Sequence, residues 1–253
     1  MLRYSVAQKL RLLIGKIPGA KSVYDFIRVL FTPTYREDGL VTVNNCDFIK
    51  DPRFSHAYDA ALNQQKGINI RWRAHVTQWA ATNASKLGGG DYVECGVNRA
   101  FLSMSVIRYI DFKQMKDRKF YLFDTYCGLV PEQVTKEDRA ARRNYYTDSY
   151  EFVMDSFQDY NNVVIVKGVV PESLVTVKIE KVAYLSIDMN CTQPEVAALR
   201  YFWPKMVRGG MVVLDDYGFS GHEAQKKGAD EFATENNVEI LHLPTGQGLI
   251  IKP

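Results

Sequence analysis

The chain of 253 residues lacks any long apolar run. No uninterrupted apolar stretch approaches the ~20 residues that a helix needs to cross a bilayer. The first residues also lack the apolar block and small-residue cleavage site of a secretory signal. Cysteine is scarce, and the four residues lack the paired spacing of zinc sites and disulfide frameworks: Cys46, Cys95, Cys127 and Cys191. These absences predict a protein that is not exported and that works in the reducing cytoplasm.

The chain also lacks a strong excess of charge of one sign. Its formal net charge is +3, with 24% charged residues. Binding to a phosphate backbone requires clustered Lys and Arg rather than a small overall excess, so we expect no nucleic-acid partner. Because 46% of the residues are hydrophobic, the chain can bury a sizeable core. Its length fits one compact domain with an N-terminal addition.

Five short apolar runs stop on or contain a charged residue. They lie at 92–95 around Glu94, 120–123 before Asp124, 163–166 before Lys167, 183–187 before Asp188, and 211–214 before Asp215 and Asp216. In an open parallel sheet, the carboxyl ends of the strands line one crevice, which is where such sheets bind ligands. The charged residues therefore predict a functional site at that edge.

Helix-length stretches alternate with these runs, at 57–87, 99–112, 150–159, 195–203 and 221–236. Such alternation is typical of crossover units that build a mostly parallel sheet with helices on both faces. Two further runs, 238–243 and 249–252, flank turn residues and predict a C-terminal β-hairpin. We therefore predict an α/β fold with a doubly wound, mostly parallel seven-stranded sheet that a hairpin closes.

The residues before about His56 differ from the rest in pattern. Residues 1–17 place apolar side chains at helical spacing beside a basic face. A basic amphipathic helix can lie on an anionic membrane surface, but packing onto its own domain is the commoner outcome and the interpretation we adopt here. A second helix is predicted at 22–31, followed by an irregular stretch from Pro33. We predict residues 1–55 as a helical cap or oligomerisation arm and residues 56–253 as the main domain.

The segment 94–99 forms a sharp turn after the first run. Gly96 allows the backbone to turn, and the helix that follows offers unpaired amides to an anionic group. Asn98 and Arg99 stand where a dinucleotide fingerprint would place further glycines, which disfavours NAD and FAD. The turn remains compatible with S-adenosylmethionine, whose cationic amino group needs an acid nearby, and with a plain strand exit.

Asp124 ends the second run, at the position from which an acid accepts hydrogen bonds from both ribose hydroxyls of a nucleoside. The alternative is a helix N-cap, which Asp and Thr also make well. We favour the ribose contact because the residue follows a strand of the predicted sheet. Lys167 and Gly168, after the third run, could border an adenine.

Three carboxylates follow two adjacent runs of the predicted sheet: Asp188, Asp215 and Asp216. Like charges at close range are costly unless a cation or a proton lies between them. Carboxylate oxygens suit a hard divalent ion such as Mg²⁺, which could bind substrate hydroxyls and ease their ionisation. The alternatives are that Asp215 faces solvent or caps the next helix, and that the acids act as hydrogen-bond acceptors without an ion.

The ordered set of four motifs resembles the macrocin and mycinamicin O-methyltransferase family. The motifs are Glu94-Cys95-Gly96-Val97-Asn98-Arg99, Phe123-Asp124-Thr125-Tyr126, Leu185-Ser186-Ile187-Asp188 and Val213-Leu214-Asp215-Asp216-Tyr217. The resemblance runs from about Trp79 to the C-terminus. It implies a class I methyltransferase that depends on S-adenosylmethionine and Mg²⁺ and methylates sugar hydroxyls of natural products.

Carried over by position, the resemblance assigns three roles. Asp188 would be the general base, and Asp188, Asp215 and Asp216 would hold the metal. By the resemblance, Glu94, Gly96, Asp124, Thr125 and Tyr126 would hold the cofactor. We expect further cofactor contacts at Lys167, Gly168 and Asp188. The chain departs from the family where a second Asp and then an aromatic usually follow the first Asp, because Asn190, Cys191 and Thr192 stand there. The departure concerns the acceptor and the strength of metal binding more than the cofactor.

Three functional hypotheses follow from these residues. The first is a metal-assisted O-methyltransferase that acts on a small-molecule or glycan acceptor. The second is a protein that binds S-adenosylmethionine with reduced catalysis, which Asn190 permits. The third is a nicotinamide-dependent dehydrogenase, which the missing glycine fingerprint and the C-terminal hairpin both oppose.

Some features fit two interpretations. The stretch 128–150 is rich in Arg and Tyr and could be a lid over the site or a solvated helix. His222 is a rival general base, but its neighbours suggest an exposed helix start, which is the interpretation we prefer. Arg73 and His75 could approach the cofactor, whereas Trp72 and Trp79 fit the core better.

Overall fold

The computed structural model describes residues 19–138 and 148–253. The chain divides into two compact units, one ending at Ile49 and the other spanning Lys50–Pro253. The amphipathic helix predicted at 1–17 lies outside the described residues. Within the described part of the chain, no helix is both long enough and apolar enough to cross a membrane.

The first unit contains one helix and one small hairpin. Helix α1 spans Ala20–Phe31, and strands β1 (Tyr35–Glu37) and β2 (Leu40–Thr42) pair antiparallel. The prediction of an irregular stretch here was wrong. Asp38 and Gly39 join the strands with φ of 51° and 75°, and two successive residues with positive φ are the hallmark of a tight two-residue hairpin turn.

The second unit is built on a seven-stranded sheet, which confirms the predicted fold class. The strands are β3 (Asp91–Cys95), β4 (Phe120–Asp124), β5 (Val163–Lys167), β6 (Val182–Ile187), β7 (Met206–Leu214), β8 (Leu241–His242) and β9 (Gly248–Ile251). Their order is β5-β4-β3-β6-β7-β9-β8. Strands β3 to β7 are parallel, and β9 inserts antiparallel between β7 and β8. The order reverses at β3 and β6, and a crevice is expected at such a switch point.

Six α-helices of the second unit are described, together with short 3-10 turns. The α-helices are α2 (Pro52–Leu62), α3 (Arg71–Ser85), α4 (Phe101–Tyr109), α5 (Tyr150–Phe157), α6 (Thr192–Phe202) and α7 (Glu223–Glu235). The 3-10 turns are Phe112–Gln114, Pro131–Gln133, Glu172–Val175 and Trp203–Lys205, with another at Asp47–Lys50 across the boundary between the units.

The prediction of one helical stretch at 57–87 was wrong, because the chain breaks between α2 and α3. The Tyr58 hydroxyl stabilises the break, since it donates to the Ile68 carbonyl and accepts from the Ile70 amide, both at 3.0 Å. Gly67 within the break has a φ of 82°, in the left-handed region that favours glycine.

The sheet buries a different apolar layer on each face. On the side of α2, α3 and α4, an aromatic cluster packs together: Tyr92, Phe112, Phe120 and Tyr184. On the other side, Val93, Leu185 and Val212 belong to a cluster that includes residues of α6 and α7. Trp79, on α3, was predicted to lie in the core, but 47% of its surface is exposed.

We expect the substitution Arg118→Ala to lower the free energy of unfolding by about 1–3 kcal/mol. Arg118 is buried, and its guanidinium donates to the carbonyls of Ala84 and Leu87 at the end of α3. Its removal leaves these acceptors without that donor. Urea unfolding of the variant against the parent measures the difference.

Arg200→Ala is the matched control. Arg200 bonds both oxygens of Glu235, at 2.8 and 2.9 Å, but both side chains are more than half exposed. Exposed pairs contribute only ~0–1 kcal/mol. If the two variants lose the same free energy of unfolding, then the buried hydrogen bonds of Arg118 contribute no more to stability than an exposed ion pair does.

Candidate active site

The carboxyl ends of the parallel strands are held together by backbone hydrogen bonds that continue into the loops. The Gly96 amide donates to the Phe123 carbonyl at 2.9 Å, and the Asp188 amide donates to the Cys95 carbonyl at 2.8 Å. The Asp215 amide donates in turn to Ile187 at 2.9 Å. The residues that follow β3, β4, β6 and β7 therefore meet at one edge, as the sequence predicts.

Gly96 is the tightest point of this edge. Its φ is 89°, and a Cβ added there would lie 1.9 Å from the backbone oxygen of Asp188. A side chain at this position would force the exits of β3 and β6 apart. Glycine is needed here for both its conformation and its small size.

A crevice of about 770 Å³, open to solvent, lies above this edge. Six predicted cofactor residues line it: Gly96, Asp124, Thr125, Tyr126, Gly168 and Asp188. Glu94 and Lys167 are not among the lining residues. Asn98, Ser149 and Asn190 also line the crevice, although the sequence did not assign them to cofactor contacts.

The carboxylate of Asp124 organises the crevice floor. One oxygen accepts from the backbone amides of Val97 and Asn98 at 2.6 and 2.7 Å. The other accepts from the Tyr126 amide at 2.7 Å. Asp124 therefore ties the loop after β3 to the loop after β4. The helix N-cap considered as the alternative role is not formed, because a turn and not a helix follows Asp124. Asp124 lines the crevice, as the preferred interpretation requires.

Glu94 lies beneath the crevice. Its side chain is almost completely buried, and the Ser103 hydroxyl donates to it at 2.7 Å. Burial, with smaller contributions from the negative charges of Asp215 and Asp124, raises its pKa to about 8, while the Ser103 hydrogen bond opposes the shift. A carboxyl with this pKa holds its proton near neutral pH.

Lys167 is exposed and lies outside the crevice lining. Its ammonium is 4.5 Å from the centre of the Tyr150 ring, a distance typical of a cation–π contact. Gly168, next in the chain, does line the crevice, and its amide donates to the Asp124 carbonyl at 2.9 Å.

Asp188, Asp215 and Asp216 converge, as predicted. One oxygen from each lies within 4.8 Å of the others. Asp215 is buried, and its carboxylate pairs with the guanidinium of Arg73 and accepts from the side-chain amide of Gln247 at 2.8 Å. Asp215 therefore does not face solvent, which was one of the alternatives considered from the sequence.

The donor set of this cluster fits a hard divalent cation. Burial raises the pKa of Asp188, and the charges of Asp215 and Asp216 raise it further, while Arg73 opposes the shift. Three carboxylates with one guanidinium leave net negative charge in a poorly hydrated place. Mg²⁺ prefers oxygen ligands of this type. Asp188 both lines the crevice and belongs to the cluster, so it joins the two parts of the site.

His222 was predicted to be an exposed residue, and this was wrong. It immediately precedes α7 but is only 8% exposed, and its Nδ1 lies 3.4 Å from Asp216 and 2.8 Å from the Gln225 side-chain amide. Burial lowers the pKa of His222, so the neutral ring is favoured. The loop after Asp216 turns back and brings His222 to the edge of the acid cluster.

The segment 128–138 forms a wall of the crevice, through Gly128, Leu129, Val130 and Gln133. Its end is fixed by Asp138, which is 1% exposed. The Asp138 carboxylate accepts from the Thr135 amide at 2.9 Å and the Thr192 amide at 3.0 Å, and from both threonine hydroxyls. The rest of the predicted lid or solvated helix includes 139–147, which lie outside the described residues.

Sequence reasoning missed Asp138 and Gln247. Neither follows a parallel strand, so the strand-end pattern could not find them. The signal that could have found part of the crevice is asparagine at a turn after a strand, since Asn98 and Asn190 have φ of 50° and 54°. Asn tolerates the left-handed region better than most residues.

The strand order and the crevice at its switch point define a Rossmann-like class I methyltransferase fold. The family model for macrocin O-methyltransferase (TylF) matches residues 38–241. The chain belongs to this family, which confirms the resemblance inferred from the four motifs. Membership also removes the nicotinamide-dependent dehydrogenase from the functional hypotheses.

Demethyldecarbamoylnovobiocin O-methyltransferase from Streptomyces niveus is similar to the chain. The two are 28% identical over 172 residues, which cover 63% of this chain and 64% of the relative. The chain thus matches just under two-thirds of that relative's length.

Two solved structures share the fold. The O-methyltransferase NovP has a TM-score of 0.61 at 24% identity, over 71% of this chain and 79% of NovP. The calicheamicin methyltransferase CalS11 has a TM-score of 0.60 at 13% identity, over 93% of both chains. At these identities the likeness shows the fold alone.

We expect Glu94→Gln to change how stability depends on pH. The pKa of Glu94 is about 8 in the folded chain, against an ordinary value of 4.5. Between about pH 5 and 8 the folded chain keeps a proton that the unfolded chain has lost, so this group lowers the free energy of unfolding as pH rises. The variant lacks this titration. As pH rises, its free energy of unfolding should therefore increase relative to that of the parent, by up to ~1.4 kcal/mol per pH unit.

Urea unfolding of parent and variant at several pH values between 5 and 8 measures this difference. Glu239→Gln, a similar change at a residue outside the crevice lining, is the control and should track the parent. A stability difference between Glu94→Gln and the parent that stays constant with pH would mean that Glu94 ionises normally in the folded chain.

Proposed function

We propose that the chain is an S-adenosylmethionine-dependent O-methyltransferase, assisted by a divalent metal, that methylates a hydroxyl of a sugar, glycoconjugate or natural product. The observation that carries the proposal is the position of Asp188. It lines the crevice beside Gly96 and Asp124 and also lies in the three-carboxylate cluster. A donor held in the crevice and a hydroxyl held at the cluster would meet at this residue.

The crevice supplies what a nucleoside donor needs. Asp124 and the loop after Gly96 present a carboxylate and backbone groups, and Thr125, Tyr126 and Gly168 complete the floor. We assign the ribose hydroxyls to Asp124 and the adenine side to Gly168. Because Glu94 is buried and Lys167 is exposed, we assign Glu94 to the support of the floor and Lys167 to its outer margin. When bound, S-adenosylmethionine supplies an electrophilic methyl carbon, whose bond to sulfur breaks as the bond to the acceptor oxygen forms.

The acid cluster supplies what the acceptor needs. Asp188, Asp215 and Asp216 would hold the metal, which provides Lewis acidity that makes a hydroxyl easier to ionise. Asp188 takes the proton of the acceptor hydroxyl. Asn190 donates to the Asp188 carboxylate at 3.2 Å, and this bond stabilises the ionised, proton-accepting form against the burial that raises the pKa of Asp188. Arg73 and Gln247 fix Asp215 from the opposite side.

The acceptor class rests on the relatives and on the crevice wall. The family is that of macrocin O-methyltransferase, and the curated relative is demethyldecarbamoylnovobiocin O-methyltransferase. The wall at 128–138 combines apolar Leu129 and Val130 with polar Gln133. A mixed wall of this kind suits a small molecule that carries hydroxyls on an apolar frame.

We expect EDTA to abolish methyl transfer and to leave the affinity for S-adenosylmethionine largely intact. The reason is that the carboxylate cluster and the donor crevice share only Asp188. Calorimetric titration of the donor, with EDTA and then with added Mg²⁺, measures the affinity, and a coupled assay measures transfer. Full transfer in EDTA would refute the role of the metal without affecting the rest of the proposal.

We expect Asp188→Asn to slow transfer by about 10²–10⁴-fold, the usual contribution of a general base. The amide keeps the shape of the side chain but accepts no proton, so donor affinity should change little. Asp117→Asn is the matched control, because the Asp117 side chain is 80% exposed.

The split between rate and affinity distinguishes the hypotheses. If Asp188→Asn loses donor binding instead of rate, then Asp188 serves the donor and the base lies elsewhere, with His222 the first candidate. If the parent binds the donor but methylates no hydroxyl in a broad acceptor panel, the catalytically reduced binding protein is favoured.

A further inference from the structure

Helix α1 presents its apolar side to solvent. The exposed residues share one side of the helix, at spacings of three and four: Val23, Phe26, Ile27, Leu30 and Phe31. Phe31 is 77% exposed and Phe26 is 63% exposed. Large apolar side chains grouped in this way on a surface mark an interaction site.

The residues of α1 that are partly covered are Tyr24, Asp25, Arg28 and Val29. Arg36, from the β1–β2 hairpin, donates to the carbonyls of Val29 and Leu30 at 2.9 and 2.8 Å. Arg28 reaches the Val43 carbonyl at 3.5 Å, and Asp25 is partly covered. This is the reverse of the usual arrangement, in which a surface helix buries its apolar stripe and exposes its polar face. The apolar stripe is therefore placed for an external partner.

The charge of this region identifies the partner. Residues 1–31 contain six Lys and Arg residues and one Asp, a net charge of +5, whereas the whole chain carries +3. The remaining 222 residues therefore have a net charge of −2. A basic stretch of sequence that contains an exposed apolar stripe fits a surface that is both anionic and apolar within a few ångströms. A second copy of the chain fits poorly, because two +5 segments would repel each other.

We propose that α1 docks the protein on an anionic lipid bilayer, with its apolar stripe in the headgroup region. Amphipathic helices bind in this way through buried apolar area plus attraction to anionic lipids. Each Lys or Arg near such a surface adds roughly 1 kcal/mol, and the attraction falls off within a Debye length. No residue of α1 lines the crevice, and this proposal does not depend on the proposed methyl transfer.

Vesicle co-sedimentation of the full chain tests the proposal. We expect binding to phosphatidylcholine vesicles that contain phosphatidylglycerol, little binding to pure phosphatidylcholine, and release when the salt is raised. Phe26→Ser with Phe31→Ser should weaken binding at least tenfold. Val175→Ser is the matched control, because Val175 is 72% exposed outside α1, and it should bind as the parent does.

A second variant tests the charge without touching the stripe. Lys9→Glu with Lys16→Glu lowers the net charge of residues 1–31 from +5 to +1, and should also weaken binding to the anionic vesicles at least tenfold. Circular dichroism melting shows whether each variant is folded. If the double Phe variant is not folded, the charge variant and the salt dependence of binding by the parent test the proposal instead.

Three outcomes would overturn the proposal. Binding of the parent to neither type of vesicle is the first, and equal binding of parent and charge variant is the second. The third is a concentration-dependent dimer in sedimentation velocity that the Phe26→Ser, Phe31→Ser variant abolishes, without vesicle binding by the parent. That result would assign the stripe to a second copy of the chain.

Discussion

The contact between Gly96 and the backbone of Asp188 is the constraint on which the site depends. A hypothetical Cβ at Gly96 would lie 1.9 Å from the Asp188 oxygen, so the exits of β3 and β6 approach as closely as two backbones can. This contact brings the loop after β3 and the carboxylate cluster to the same point. Without it, Asp124 and Asp188 would lie on two separated loops, and the crevice would lose the residue that its two parts share.

Charge is the second constraint, and it works against folding. Asp188, Asp215 and Asp216 crowd one end of the sheet, and Glu94 is buried nearby. Burial raises the pKa values of Asp188 and Glu94, and the neighbouring negative charges raise them further. The chain offsets part of this repulsion with Arg73, which pairs with Asp215. The remaining repulsion is the kind of local conflict that proteins keep where a function uses it.

The sequence was sufficient to predict the sheet, the convergence of the acids and the family. These follow from local patterns: apolar runs of strand length, their alternation with helices, and the rule that parallel strands end at one edge. Six of the eight expected cofactor residues line the crevice. The family comparison supports the same interpretation.

The failures share a physical cause, because each depends on contacts that are distant in sequence or on the conformation of a turn. The burial of His222 requires the loop after β7 to fold back, and Gln247 reaches Asp215 only because β9 inserts beside β7. The exposure of Trp79 depends on what α3 packs against. The Asp38–Gly39 hairpin was the exception, since its turn residues were visible in the sequence and were taken as irregular.

The separation of the crevice wall from the three-carboxylate cluster has a consequence for how members of this family diversify. The wall comes from one continuous piece between β4 and α5, whereas the acids come from the ends of β6 and β7. Exchange of that piece among homologues could alter which molecules fit while the reactive groups stay untouched. Asp138 limits such an exchange, because its carboxylate accepts hydrogen bonds from Thr135 and Thr192 and so connects this segment to the start of α6. A segment transferred from a homologue would need a carboxylate that bonds to Thr192 in order to keep this connection.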